Sequence, residues 1–86
     1  MADDLKTQFE QAAKDVKGLA SRPGDQDLLE LYALYKQATE GDAGGDKPGR
    51  FNLVARAKYE AWEDLAGTSA EDAMKRYVKK VRALGA

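Results

Sequence analysis

Three breaks rich in glycine and proline, at Arg22-Pro23-Gly24, across residues 41–52 and at Gly67, divide this chain into four stretches. In each stretch the apolar residues recur at steps of three and four, which gathers them on one face of a helix, and the alternation of a half-buried strand appears nowhere. The spacing predicts helices over about 4–20, 25–40, 53–65 and 69–84. Leu5, Phe9, Ala12, Val16 and Leu19 form the face of the first, with Asp3 or Asp4 as its cap. The second should start at Asp25 as N-cap and stop before Gly41. Its apolar set, Leu28, Leu29, Leu31, Tyr32, Leu34, Tyr35 and Ala38, spans so wide an arc that this helix must be contacted on two sides. Leu53, Ala57, Ala61, Trp62 and Leu65 mark the third, and Met74, Tyr77, Val78, Val81 and Leu84 the fourth. Ser69 with Asp72 resembles a capping box, and Lys79, Lys80 and Arg82 suit the negative end of the fourth helix. The expected fold is an all-α four-helix bundle, one domain over 1–86. Its longest connection, 41–52, has four glycines and Pro48, and loops of this length in small domains are often functional or mobile.

Composition removes most chemistry. The chain has neither histidine nor cysteine, so imidazole acid–base work, thiol catalysis, disulfides and zinc fingers are excluded. Fourteen basic against fifteen acidic residues leave no surplus for a general nucleic-acid binder. A local basic pocket stays compatible with that balance. The 41–48 loop lacks the Gly-Lys-Ser/Thr end of a phosphate cradle, and Asp42 with Asp46 does not make an EF-hand. Thr68-Ser69 reads as a cap, not a nucleophile. No apolar h-region follows Met1, Ala2 rules out myristoylation, and no apolar run is long enough to span a membrane. A stand-alone, soluble, cytoplasmic monomer without a cofactor is expected.

One constellation is left. Tyr32, Tyr35 and Lys36 stand at i, i+3 and i+4, so they are expected to share one face of the second helix. Lys58 lies beside Tyr59 and Trp62 on the third, and Tyr77 on the fourth. Tyrosine can stack on a purine and offer its hydroxyl to a phosphate, and lysine gives that phosphate a compact charge. The same aromatics would also serve as core, although buried tyrosine hydroxyls then need partners. An aromatic face that docks a partner helix is a further reading.

These residues carry a resemblance. Phe9 with Ala12-Ala13 and Val16-Lys17, then Pro23, the block Tyr32-Ala33-Leu34-Tyr35-Lys36-Gln37-Ala38-Thr39-Glu40-Gly41-Asp42, and Pro48-Gly49 come in order. Ala57-Lys58, Glu60-Ala61-Trp62, Gly67, Ser69, Asp72-Ala73-Met74 and Tyr77 follow. Over nearly its full length the chain resembles the acyl-CoA-binding protein family. The resemblance implies a four-helix bundle of up-down-down-up topology that binds medium- to long-chain acyl-CoA thioesters without reacting with them. It implies an intracellular carrier and pool, no stable membrane insertion, and at most transient contact with membranes or acyl-CoA-using enzymes. By it, Tyr32 stacks on adenine, Lys36 and Lys58 meet the ribose 3′-phosphate, Tyr77 lines the head-group site and Lys17 reaches the CoA phosphates. Phe9, Ala13, Leu28, Leu29 and Tyr35 form the wall near the pantetheine and acyl chain. The chain departs from the family at Tyr59, where tryptophan is usual, and at Val54, where many members carry lysine. Arg50 and Asn52 replace an apolar residue and an Asp, and Arg56 stands two residues beyond Val54, about 200° around the helix.

Overall fold

The computed structural model describes residues 4–85. Four helices, α1 (Leu5–Asp15), α2 (Asp25–Glu40), α3 (Leu53–Glu63) and α4 (Ala70–Ala83), make up its regular structure together with one 3₁₀ turn, Val16–Gly18. There is no strand among the described residues. Three of the four helix starts are capped by a side chain. The Asp4 carboxylate accepts from the Thr7 amide at 2.8 Å, and the Ser69 hydroxyl accepts from the Asp72 amide at 3.0 Å. Asn52 caps α3 by accepting from the Ala55 amide at 3.4 Å. Asp3 lies outside the described residues.

Three sequence expectations are corrected. The first helix stops at Asp15 instead of Ala20, and its last turn tightens through Gly18. Gly18 has poor helix propensity, and a final 3₁₀ turn is a common way for such an end to close. The third helix stops at Glu63, and 64–67 form turns that close on Gly67 at φ +88°. Asp25 is not the cap of α2: Gly24 holds that position with no side-chain hydrogen bond, and Asp25 sits in the first turn, where its charge suits the helix dipole.

Contacts along the helices give their directions. Lys80 reaches Asp27 at 2.6 Å and Glu30 at 3.6 Å, while Gln37 reaches the carbonyl just ahead of α4, so α2 and α4 run opposite ways. Lys58 faces Tyr32 and Trp62 faces Lys36, so α2 and α3 run the same way. Leu5 and Gln8 share a groove with Lys75, and Ala12 and Asp15 share one with Val81, which sets α1 alongside α4. The order is up-down-down-up. Leu34, Ala73 and Val81 are fully buried at the centre, with Phe9, Ala12, Leu31, Ala38, Tyr77 and Val78 around them. The wide apolar arc of α2 is explained: α4 and α1 cover one side, and α3 covers the other.

Candidate functional site

The end of α2 is pinned before any site residue is placed. Gln37 is 1% exposed, and its amide nitrogen donates to the Asp42 carboxylate at 2.7 Å and to the Thr68 carbonyl at 2.8 Å. Both partners accept, so the amide nitrogen must face them, and Oε1 is left buried without a partner among the described residues. The same Asp42 oxygen accepts from the Gly67 amide at 2.9 Å. That amide, and then Gln37, hold the Asp42 carboxyl below its ordinary pKa. Trp62 Nε1 donates to the Gly41 carbonyl at 2.7 Å, which Gly41 presents from φ +83°. Thus Gln37, Gly41, Asp42 and Trp62 clamp α2, α3 and the start of α4 together.

The clamp sets α2 and α3 side by side around a cleft of about 640 Å³. Leu28, Leu29, Tyr32, Ala57 and Lys58 line it, with Leu53 and Val54 on its rim side and Arg22 and Asp25 near the start of α2. Lys58 Nζ stands 5.3 Å from the Tyr32 ring centroid, within cation–π range. One turn on, Lys36 Nζ lies 4.9 Å from the Trp62 ring centroid and pairs with Glu40. The hydrogen bond to Glu40 raises the Lys36 pKa, with burial acting against it. Arg22 pairs with Asp25 at 3.4 Å and is largely exposed.

A second cleft, about 580 Å³, opens between α1 and α2. Phe9, Ala13, Lys17, Tyr35, Ala38 and Met74 are among its lining residues, with Lys6 and Lys14 also on it. Phe9 stacks on Tyr35 at 5.3 Å between centroids and meets Tyr77 edge-on at 5.0 Å. Tyr77 is 5% exposed, beneath that stack, and burial raises its phenol pKa.

The sequence-predicted residues therefore fall into two groups and a core member. Leu28, Leu29, Tyr32 and Lys58 come together on the α3 side, with Lys36 adjacent. Phe9, Ala13, Lys17 and Tyr35 come together on the α1 side, with Tyr77 under them. The shared face expected for Tyr32 and Tyr35 is split: three residues turn a helix by about 60° short of a full circle, and α2 has a neighbour on each flank. Sequence reasoning missed Arg22, Leu53, Val54 and Ala57 as cleft residues. Arg22 was legible only as part of a helix stop, and Leu53 and Ala57 only as part of the apolar face of the third helix.

The departures also take places. Tyr59 turns toward the 41–52 loop, 3.5 Å from the Gly45 carbonyl and edge-on to Trp62, away from the Lys58 cleft. Arg56 pairs with Glu60 at 3.3 Å and donates to the Pro48 carbonyl at 3.3 Å. Lys47 joins Glu60 at 3.2 Å and Glu63 at 3.5 Å, which ties the loop to α3.

Comparison with known proteins bears on family and fold. The family model described as acyl CoA binding protein matches residues 6–81. The acyl-CoA-binding protein homolog of Manduca sexta is 53% identical over 81 residues, covering 93% of this chain and 90% of that protein. The acyl-CoA-binding protein of Saccharomyces cerevisiae is 56% identical over 73 residues, covering 85% and 84%. The crystal structure of Oryza sativa acyl-CoA-binding protein 2 superposes with a TM-score of 0.89 at 43% identity, over 94% of this chain and 90% of that one. With the family model spanning nearly the whole chain and the fold shared with a solved member, this chain belongs to the acyl-CoA-binding protein family.

Proposed function

We propose that this protein binds medium- to long-chain fatty acyl-CoA thioesters without covalent chemistry and serves as their cytoplasmic carrier and pool. The observation that carries the reading is the α2/α3 cleft, where a lysine ammonium over a tyrosine ring adjoins an apolar floor of Leu28 and Leu29. An aromatic base on a CoA head can stack where Tyr32 stands, and its phosphates suit Lys58 and Lys36. Lys17 lines the cleft on the other flank of α2, and the family resemblance gives it the remaining phosphates. Phe9, Ala13 and Tyr35 with Leu28 and Leu29 offer apolar wall to the pantetheine and acyl chain, and Tyr77 supports the Phe9–Tyr35 stack from below.

The division of labour has a physical scale. Each buried CH₂ contributes about 0.8 kcal/mol, so five more carbons add about 4 kcal/mol, roughly three decades of affinity at most. Head-group contacts are common to every thioester and are lost for free fatty acid. No catalytic step is proposed, because the chain has no histidine or cysteine to act as acid, base or thiol nucleophile. No helix is long and apolar enough to cross a membrane among the described residues. The working unit is a monomer.

The test is a palmitoyl-CoA titration of the protein and of the Tyr32→Ala and Lys58→Ala variants, with a thiol assay of the recovered ligand. Each variant should lose about 1–3 kcal/mol of binding while its circular dichroism stays native, and no thiol should be released. Unchanged dissociation constants in both variants, or release of CoA thiol, would contradict the reading.

A further inference from the structure

Lysines without a carboxylate partner gather on the two clefts that flank α2. Among the described residues Lys36, Lys47, Lys75 and Lys80 each pair with an acidic side chain. Lys6, Lys14, Lys17, Lys58 and Lys79 make no such pair there. Lys58 lines the α2/α3 cleft. Lys6, Lys14 and Lys17 all line the α1/α2 cleft, where Glu10 is the one carboxylate. An apolar wall of Phe9, Ala13 and Met74 with converging cations suits an anionic, partly apolar ligand.

Two of these lysines are brought together by the way α1 ends. Lys14 lies in its last turn, and Lys17 in the 3₁₀ turn Val16–Gly18. Three α-helical steps would leave Lys17 about 60° short of Lys14, whereas side chains three apart in a 3₁₀ turn eclipse. The tightened turn therefore draws Lys17 nearer to register with Lys14, about 5 Å further along the axis. Lys6 starts about 12 Å before Lys14 along α1, too far to share one small group with it. Two ammoniums one turn apart match two linked phosphates. A single carboxylate would meet one and leave the other without a counter-charge.

We infer that Lys14 joins Lys17 in a two-point clamp for the diphosphate of the CoA head. The inference rests on the acyl-CoA reading and adds to it a residue to which the family resemblance gives no role. The ligand's phosphates are then divided between the flanks of α2, with Lys36 and Lys58 on one side and Lys14 and Lys17 on the other. Both α1 lysines also suit the negative end of that helix, a structural role that a change of ligand cannot move.

The test is calorimetric titration of the parent, Lys14→Gln, Lys14→Arg and Lys79→Gln with three thioesters. These are palmitoyl-CoA, its 3′-dephospho form, and palmitoyl pantetheine, which carries no phosphate. Lys14→Gln should weaken palmitoyl-CoA and the 3′-dephospho form by the same factor, about three- to fivefold, and leave palmitoyl pantetheine unchanged. The loss should shrink as salt is added. Lys14→Arg should restore binding of both CoA thioesters. Lys79→Gln makes the same charge change on an exposed part of α4 that lines neither cleft, and should bind all three like the parent. Unchanged palmitoyl-CoA binding by Lys14→Gln, an equal loss for palmitoyl pantetheine, or an equal loss in Lys79→Gln would overturn the inference and leave the acyl-CoA reading standing. A loss with palmitoyl-CoA that is absent with the 3′-dephospho form would also overturn it and assign Lys14 to the ribose phosphate. A parent that does not bind palmitoyl-CoA would overturn the reading itself, and the inference with it.

Discussion

Lys36 has two claims on its ammonium, the Glu40 carboxylate and the face of Trp62. A phosphate arriving there competes with the first and meets the negative charge of Glu40. Glu40→Gln removes that competitor and should tighten palmitoyl-CoA binding about two- to fivefold, as expected for a partly exposed pair. An unchanged constant from calorimetric titration would mean that Lys36 does not meet the ligand's phosphate. Residue identity was readable at this scale where chemistry is scarce. With no histidine or cysteine, aromatic and basic side chains were the groups left to recognise an anionic aromatic ligand. What the chain did not display was the company each one keeps. Tyr32 and Lys58 are far apart in sequence, and only the parallel packing of α2 and α3 makes them neighbours. Tyr32 and Tyr35 are close in sequence, and the same packing parts them.

At the level of elements, the α2 terminus is the joint on which the α2/α3 cleft depends. Gln37 links it to the residues ahead of α4, and Trp62 links it to α3. Gln37→Ala removes its hydrogen bonds to the half-buried Thr68 carbonyl and the exposed Asp42 carboxylate and empties the buried site of its side chain, and should cost about 1–3 kcal/mol in urea unfolding. An unaltered unfolding midpoint would remove Gln37 from the clamp. The four helices were legible because their apolar spacing and their Gly/Pro stops agree. The clamp was not, because a glutamine on a helix looks like any solvated polar residue until its depth is known. Helix ends were readable where a side chain caps them, as at Asp4 and Ser69. They were misjudged where the ending is a backbone matter, as in the tightened turn at 16–18 and the turns after Glu63.

For the molecule as a whole, the absence of histidine leaves its side chains without an ordinary titration near neutrality. Asp4, Asp42 and Glu60 have lowered pKa values, from the Thr7 amide, the Gly67 amide and Lys47 in turn. Their contribution is present above the ordinary carboxylate pKa and is lost as pH falls through the lowered values. Lys36, Lys47 and Lys80 are raised by Glu40, Glu60 and Asp27, so their share is present below the ordinary lysine pKa and is lost as pH rises through the raised values. The Tyr77 phenol is raised by burial, so the unfolded chain ionises first and stability falls above its ordinary pKa. Urea midpoints should therefore form a plateau from about pH 5 to 9 and decline on both sides. Tyr77→Phe should flatten part of the alkaline decline, and a decline of unchanged slope would contradict the burial argument. The central claim, that this bundle joins head-group recognition to acyl-chain burial, is tested most directly by calorimetry with palmitoyl-CoA, free CoA and free palmitate in parallel. Palmitoyl-CoA should bind at least a hundredfold more tightly than either half, an advantage of about 2.7 kcal/mol. Equal affinity for palmitate and its CoA ester, or heat from neither, would contradict it.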